Sequence, residues 1–300
     1  MHYRRGLLST WEDGVPSLSK DAFLADIPTL CPVPEVPAAR FVRRRALLGG
    51  ALAAGLAGLG GCSPSDTEAG RTDAYCVDRS SLERRSSLGG LPMVYEPSQR
   101  RQAFWFDSGF AGQLDAWVDE LAADLGQPAV RLDTYGSWID GRGQCDSWHH
   151  SGRAFDLARI RLADGRVVSC RYDQWQSGRA AEIEAAQRAY WAVAAGLHLR
   201  FAYVLTYLYN ARHANHIHLD NGRSGPGLST FRTRSRVQVQ AVQAMLTYLW
   251  AEPVELTGRW DGPTRNAARR VGDQLELTAD LEDTTEAWHS FLRASAIRGR

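Results

Sequence analysis

Apolar positions at Leu114, Trp117, Val118, Leu121 and Leu125 recur at helical spacing, so 110–125 predicts an amphipathic helix, and Gly126 directly after it predicts its C-terminal stop. The stretch "AVRLDTYGSWID", from Ala129, opens with strand-like alternation. "FDLARIRLADGRVVSCRYD" predicts a hairpin turning at Asp164-Gly165. A second helix is expected over 179–195, bounded by Gly178 and Gly196. The run "FAYVLTYLYN", 201–210, is strongly β-prone, and "HIHLD", 216–220, alternates with period two. Together these elements predict an α+β unit over 100–225, a small antiparallel sheet with flanking helices. After Asn221 the texture changes. "GRSGPGLS" reads as a loop, "VQVQAVQAMLTYLW" as a helix, and "TGRWDGPTRNAARR" as a turn followed by another helix. A third helix carries Trp288 and His289, the latter read as a packing or surface histidine. Residues 226–300 are therefore expected to form a small helical domain.

The chain has 300 residues, 44% of them hydrophobic, which is enough for a sizeable core. Its formal net charge of +1 gives no basic surface for nucleic acid. Lys20 is the only lysine, so nearly all positive charge is arginine. The segment "RRRALLGGALAAGLAGLGGC", 43–62, places basic residues before an uncharged Ala/Leu/Gly-rich run that ends at a cysteine, the layout of an export signal. The run 46–61 is 16 residues, short for a membrane span. Arg44-Arg45-Ala46-Leu47-Leu48 resembles the start of a twin-arginine signal, and Leu59-Gly-Gly-Cys62 resembles a bacterial lipobox. That resemblance implies a lipid on Cys62 and a lipoprotein anchored to a membrane of the bacterial envelope, facing the periplasm or cell wall. Residues 1–61 are read as leader and signal, which would carry Cys31 away with them, and 62–99 as a flexible tether. Cys76, Cys145 and Cys170 would then lie in an oxidising compartment. Cys145 and Cys170 flank the first histidine cluster and can form a local disulfide, with Cys76 left free or competing; spacing alone does not determine connectivity.

Five of the eight histidines sit in two short stretches, "SWHHSGRAFD" (147–156) and "RHANHIHLD" (212–220). On a strand, His216 and His218 point to one face, Ile217 turns to the core, and Asp220 continues the histidine face. His213 lies just before them. In the first stretch Gly152 permits a tight bend and Ala154 avoids crowding, so that Phe155 and Leu157 face the core while Asp156 faces the site. One of His149 and His150, with Asp156, can grip a metal ion from two ends of this excursion; spacing does not choose between the histidines. A catalytic zinc site of three His or carboxylate ligands with one open position suits this donor set. The structural alternative is an Asp156 paired with Arg153 and histidines that merely pack.

Ser147-Trp-His149-His-Ser-Gly152-Arg-Ala154-Phe-Asp156 resembles the Ser-x-His-x-x-Gly-x-Ala-x-Asp motif of zinc peptidases that cut D-amino-acid bonds in peptidoglycan, including the D-alanyl-D-alanine carboxypeptidases. "HANHIHLD" resembles the second stretch of bacterial extensin-like proteins and the histidine spacing of the murein endopeptidase. The resemblance covers roughly residues 100–221. It implies His149, Asp156 and His218 as zinc ligands, His216 as general base or electrostatic helper, His213 as a second helper, and Asp220 as the residue that orients an imidazole. It implies a hedgehog or D-Ala-D-Ala peptidase-like fold and peptidoglycan peptides as substrate. Two features depart from the pattern. The arginine of a Tyr-Arg-Ser stretch is absent, leaving Arg131 or Arg142 to bind substrate carboxylate. The Glu-x-x-His arrangement of the carboxypeptidases is also absent, which favours an endopeptidase-like or extensin-like site.

Residues 235–271 resemble a peptidoglycan-binding helical module, with Gly258-Arg-Trp260-Asp-Gly262-Pro-Thr264 in place of its Gly-x-Phe-Gly-x-x-Thr turn. The competing functional class is a non-catalytic wall-binding lipoprotein that retains the peptidase fold.

Overall fold

The computed structural model describes residues 76–300. The export signal, Cys31 and Cys62 lie outside the described residues. Residues 79–95, inside the stretch expected to be a tether, are folded. A 3-10 turn at Arg79–Ser81 leads into strands β1 (Glu83–Arg85), β2 (Ser87–Leu88) and β3 (Leu91–Tyr95). Leu88 and Met93 are completely buried there, and they anchor the segment to the core.

Strands β4 (Arg100–Arg101), β5 (Phe104–Phe106) and β6 (Ala129–Gly136) come next, with helix α1 (Ser108–Leu125) between the last two. Asp107 caps α1 by accepting the Phe110 N–H at 2.9 Å, and Gly126 ends it at φ 68°. The predicted stripe Leu114, Trp117, Val118, Leu121 and Leu125 is buried. β7 (Ala154–Leu162) and β8 (Val167–Ser169) form the expected hairpin, with Gly165 at φ 87°. The short helix α2 (Tyr172–Trp175), helix α3 (Ala180–Arg200) and strands β9 (Tyr203–Leu205) and β10 (Ile217–Asp220) complete this half. The β-prone run from 201 yields only the three residues of β9 before the chain turns.

Eight strands make the main sheet, whose central path runs β2-β3-β6-β7-β10-β9, with β4 on β3 and β8 on β7. All its pairs are antiparallel except β3–β6, which is parallel. β1 and β5 form a separate two-stranded ribbon. The architecture is α+β, as the patterning predicts.

Helix α3 runs through Gly196 rather than stopping there. Every residue from Tyr190 to Leu199 is buried, so this stretch of helix is enclosed on all sides. Burial outweighs the roughly 1 kcal/mol propensity penalty of glycine. The missing side chain also matters, because a Cβ at 196 would stand 2.8 Å from the Asp124 carboxylate. The enclosing elements include α4 (Arg236–Leu249) and α6 (Thr285–Ala296), with α5 (Gly262–Gln274) packed on α4. Met245, Leu246, Trp288 and Phe291 share one apolar cluster with the sheet and α1. Residues 226–300 are therefore helical as expected, but they complete the core of the α+β unit instead of standing apart from it.

The disulfide joins Cys76 to Cys145, not Cys145 to Cys170. Cys170 is fully buried, packed in the core with Tyr190, and burial pushes its thiol well up. Cys145 is exposed in the loop that precedes the first histidine motif, and Cys76 is carried to it by the chain segment whose Val77 N–H donates to the His150 carbonyl at 3.0 Å. Nearness in sequence favoured the wrong partner; the folded N-terminal segment supplied the right one.

Candidate metal centre

The first motif has a local physical explanation at each fixed position. Ser147 caps the 3-10 turn Trp148–Ser151 by accepting the His149 N–H at 3.3 Å. Gly152 leaves that turn at φ 67°, where a Cβ would lie 2.9 Å from the Asp107 nitrogen and from Leu82. Ala154 starts β7 without any exposure, and Asp156 lies two residues on. Phe155 and Leu157 point into the core as expected.

The second motif meets the first by register. His218 on β10 lies directly opposite Asp156 on β7, and Asp220 lies opposite Ala154. His218 Nδ1 is 2.9 Å from Asp156 Oδ1, His149 Nε2 is 3.3 Å from the same oxygen, and the two imidazole nitrogens are 3.2 Å apart. His149, Asp156 and His218 thus form a group that could hold a metal ion. The opposite nitrogen of each histidine has its own partner. His149 Nδ1 donates to the Ser137 carbonyl at 2.6 Å, and His218 Nε2 is 3.4 Å from Asp220. Such partners fix the tautomer and aim of a ligating imidazole. His150, by contrast, turns to the Ile139 carbonyl and Asp146, so the geometry selects His149. Arg153 bonds Asn221 and lies over Trp148, which removes the Asp156–Arg153 pair as the alternative.

His216 sits just ahead of β10 with Nε2 3.4 Å from Asp156 Oδ1, and His213 ends a 3-10 turn at Ala211–His213. Their Nδ1 atoms face the Asn215 side-chain oxygen at 2.6 Å and the Asn210 side-chain oxygen at 2.8 Å. His213, His216 and His218 form a second group of donors within 4.8 Å of one another.

The charges are set by this packing. Burial pushes Asp156 up, but the neighbouring His216 and His149 and hydrogen bonds from His149 and His218 prevail and hold it well below the usual carboxylate range. Burial opposes charge on His218, yet its bonds to Asp156 and Asp220 raise it to about 10. Burial, reinforced by His218 and His216, lowers His213 to about 3, and burial lowers His216 despite Asp156. Tyr135, whose ring lies 5.8 Å from that of His216, is pushed up to about 12 by burial.

Neither arginine named from the sequence joins the cluster. Arg131 pairs with Asp133 at 2.6 Å and with Gln99, and it sits five residues up β6 from Gly136, the partner of Asp156, or about 16 Å along a strand. Arg142 is exposed in the 137–146 loop. Tyr135-Gly136-Ser137, at the end of β6, precedes the first motif and carries no arginine. Gly136 has φ 112°, and a Cβ there would come within 2.8 Å of Phe104. Asn210, Asn215, Tyr135 and the Ser137 carbonyl were not singled out from sequence. Asn215 lies inside the second histidine motif and Asn210 two residues before it, which is the one signal that pointed to them.

Fold and site together define an α+β protein with a histidine–aspartate centre able to hold a metal ion. Residues 99–229 match the family described as Extensin-like protein C-terminus, a span from the edge of β4 to the loop before α4 that takes in both motifs. No curated protein and no solved structure matches the chain.

Proposed function

We propose that this chain is a zinc-dependent hydrolase of amide bonds in peptidoglycan peptides, held at the bacterial envelope by a lipid on Cys62. The observation that carries the reading is the spacing of the first donor group. Ligands bound at about 2.0–2.2 Å in a tetrahedral zinc site stand about 3.3–3.6 Å apart. His149 Nε2, Asp156 Oδ1 and His218 Nδ1 are separated by 2.9–3.3 Å, so small adjustments let them take three corners and leave the fourth open. When bound, zinc would polarise the scissile carbonyl and acidify its water.

The remaining work falls to the chain's own groups. His216 keeps its proton on Nδ1 against Asn215, which leaves the Nε2 lone pair toward the centre, and burial keeps the ring neutral so that it accepts a proton near pH 7. His213 is held the same way by Asn210 and assists at the scissile carbonyl. Tyr135 remains an O–H donor beside His216. The absent Glu-x-x-His and the glycine at 136 support an endopeptidase-like site over a carboxypeptidase one.

The helical C-terminal segment supports a wall-contact role. Buried Gln243 donates to Thr257, the Arg259 carbonyl and Thr264 and accepts from the Gly258 N–H, and so presents the Gly258–Thr264 turn rigidly. A second contact with the polymer would raise the enzyme's local concentration.

The test is bound zinc per chain in the wild type and in H149A, D156A and H218A, then mass spectrometry of peptidoglycan fragments. About one zinc lost in all three variants, with fragment cleavage by the wild type, is expected. A metal-bound but inert wild type that still sediments with cell wall would shift the reading to a non-catalytic wall-binding protein.

A further inference from the structure

We propose that His213 and His216 form a second, weaker site for a transition-metal ion beside the first, and that its occupation switches the centre off. The inference rests on His149, Asp156 and His218 being the primary metal ligands.

Three observations support it. His213, His216 and His218 present donor atoms within 4.8 Å of one another, and the rings of His213 and His216 are 5.3 Å apart. Both flanking histidines have Nδ1 engaged by a side-chain oxygen, of Asn210 and Asn215 respectively, as metal-ligating imidazoles commonly do, and His216 Nε2 lies 3.4 Å from Asp156 Oδ1, at the edge of the primary group. The third member, His218, is shared with the primary group. Its Nδ1 already faces Asp156 and His149, so an ion in the second site would keep two imidazoles and complete its shell with solvent.

With only two protein ligands and a divalent cation beside it, the second ion binds more weakly than the first. The donor chemistry also differs between the two. The primary group includes a carboxylate, whereas the second is purely imidazole, a set that suits both Zn2+ and Cu2+, with Cu2+ the tighter of the two. A metal ion bound at His213 and His216 takes the same lone pairs on which proton transfer depends. The second site therefore acts as an inhibitory sensor of excess metal.

The experiment uses the full chain loaded with one equivalent of zinc. Cu2+ and, separately, Zn2+ are titrated in by calorimetry, and the electron paramagnetic resonance of the Cu2+ form is recorded. Expected are one further ion per chain, bound at least 100-fold more weakly than the first, and nitrogen hyperfine coupling from two imidazoles. H213Q and H216Q should each weaken the second event at least ten-fold and leave the first in place, while H149Q and D156N should abolish the first. A single event in the wild type, a second event unchanged in the H213Q/H216Q double variant, or a copper spectrum without imidazole nitrogen overturns the second site. A first event that ignores H149Q and D156N instead overturns the primary-site reading, whatever the second shows. Copper that displaced zinc at His149 and His218 would also show two imidazole nitrogens, so zinc released during the titration is measured on the wild type, and the coupling supports the second site only where the zinc stays bound.

Discussion

Asp156 and His218 face each other across the β7–β10 ladder, and one carboxylate oxygen of Asp156 lies 2.9 Å from His218 Nδ1. The same oxygen is approached by His149 and His216, so three histidines from two chain segments converge on it. Asp220, one pleat further along β10, holds the far side of the His218 ring.

Replacing Asp220 should therefore act through His218. Asp220→Asn removes the carboxylate that fixes the ring and should weaken metal binding by about 10- to 100-fold without changing the stoichiometry. Competition titration with a chromophoric chelator reads this directly. Unaltered affinity would mean that the β10 backbone alone aims the imidazole.

His216→Gln separates chemistry from binding. The variant should keep its tight metal ion and lose about 10²- to 10⁴-fold in kcat on peptidoglycan fragments, the usual worth of a positioned acid–base group. Near-normal turnover would move the proton-accepting role to His213, and H213Q measured alongside would show it.

The Cys76–Cys145 bridge clamps the loop that feeds the His149 turn, and it closes 69 residues of chain. Replacing both cysteines by serine should lower stability by about 2–4 kcal/mol. It should also weaken metal binding, because His149 and His150 sit where that loop meets the N-terminal segment. Thermal melts and chelator competition on the double variant measure the two effects. Cys170→Ser should not perturb the bridge.

His198 has both ring nitrogens buried, and burial, opposed by the backbone at Phe201, lowers it from 6.5 to about 3. Between those values the unfolded chain binds a proton that the folded chain refuses. The contribution to stability is complete above pH 6.5 and is lost progressively as the pH falls toward 3. His198→Leu removes this term. The wild-type minus variant difference in unfolding free energy should shift by roughly 2 kcal/mol between pH 7 and pH 5, with the wild type losing ground at the lower pH. Urea melts at the two values decide it, and a pH-independent difference would show that His198 is not the group responsible.

Gly152→Ala tests the turn geometry. Its φ of 67° and the 2.9 Å approach to the Asp107 backbone leave no room for a methyl group, so a loss of about 1–3 kcal/mol is expected, with weaker metal binding through a displaced His149. Denaturant melts and metal titration check both.

The local pattern already determined much of this protein. The α1 stripe ends at Gly126 because helical periodicity and a left-handed glycine act over a few residues. The β7–β8 hairpin turns at Asp164-Gly165 for the same kind of reason. The candidate ligands were legible from the resemblance of the two histidine motifs, while strand alternation accounts only for His218 and Asp220 sharing a face, since His149 lies on a 3-10 turn and His216 precedes β10. Other features depended on distant parts of the chain. Only the β7–β10 register put His218 opposite Asp156, and only the Ser137 and Ile139 carbonyls separated His149 from His150. Gly196 stayed helical because neighbouring helices enclose α3 and because the Asp124 side chain occupies the space of a Cβ. Cys145 found Cys76 because a folded N-terminal segment runs beside His150, while the core had already taken Cys170. Residues 226–300 joined the main core because the enclosed face of α3 needed an apolar cover. Periodicity and turn chemistry are properties of neighbours in sequence, whereas register, enclosure and disulfide choice depend on which distant surfaces meet.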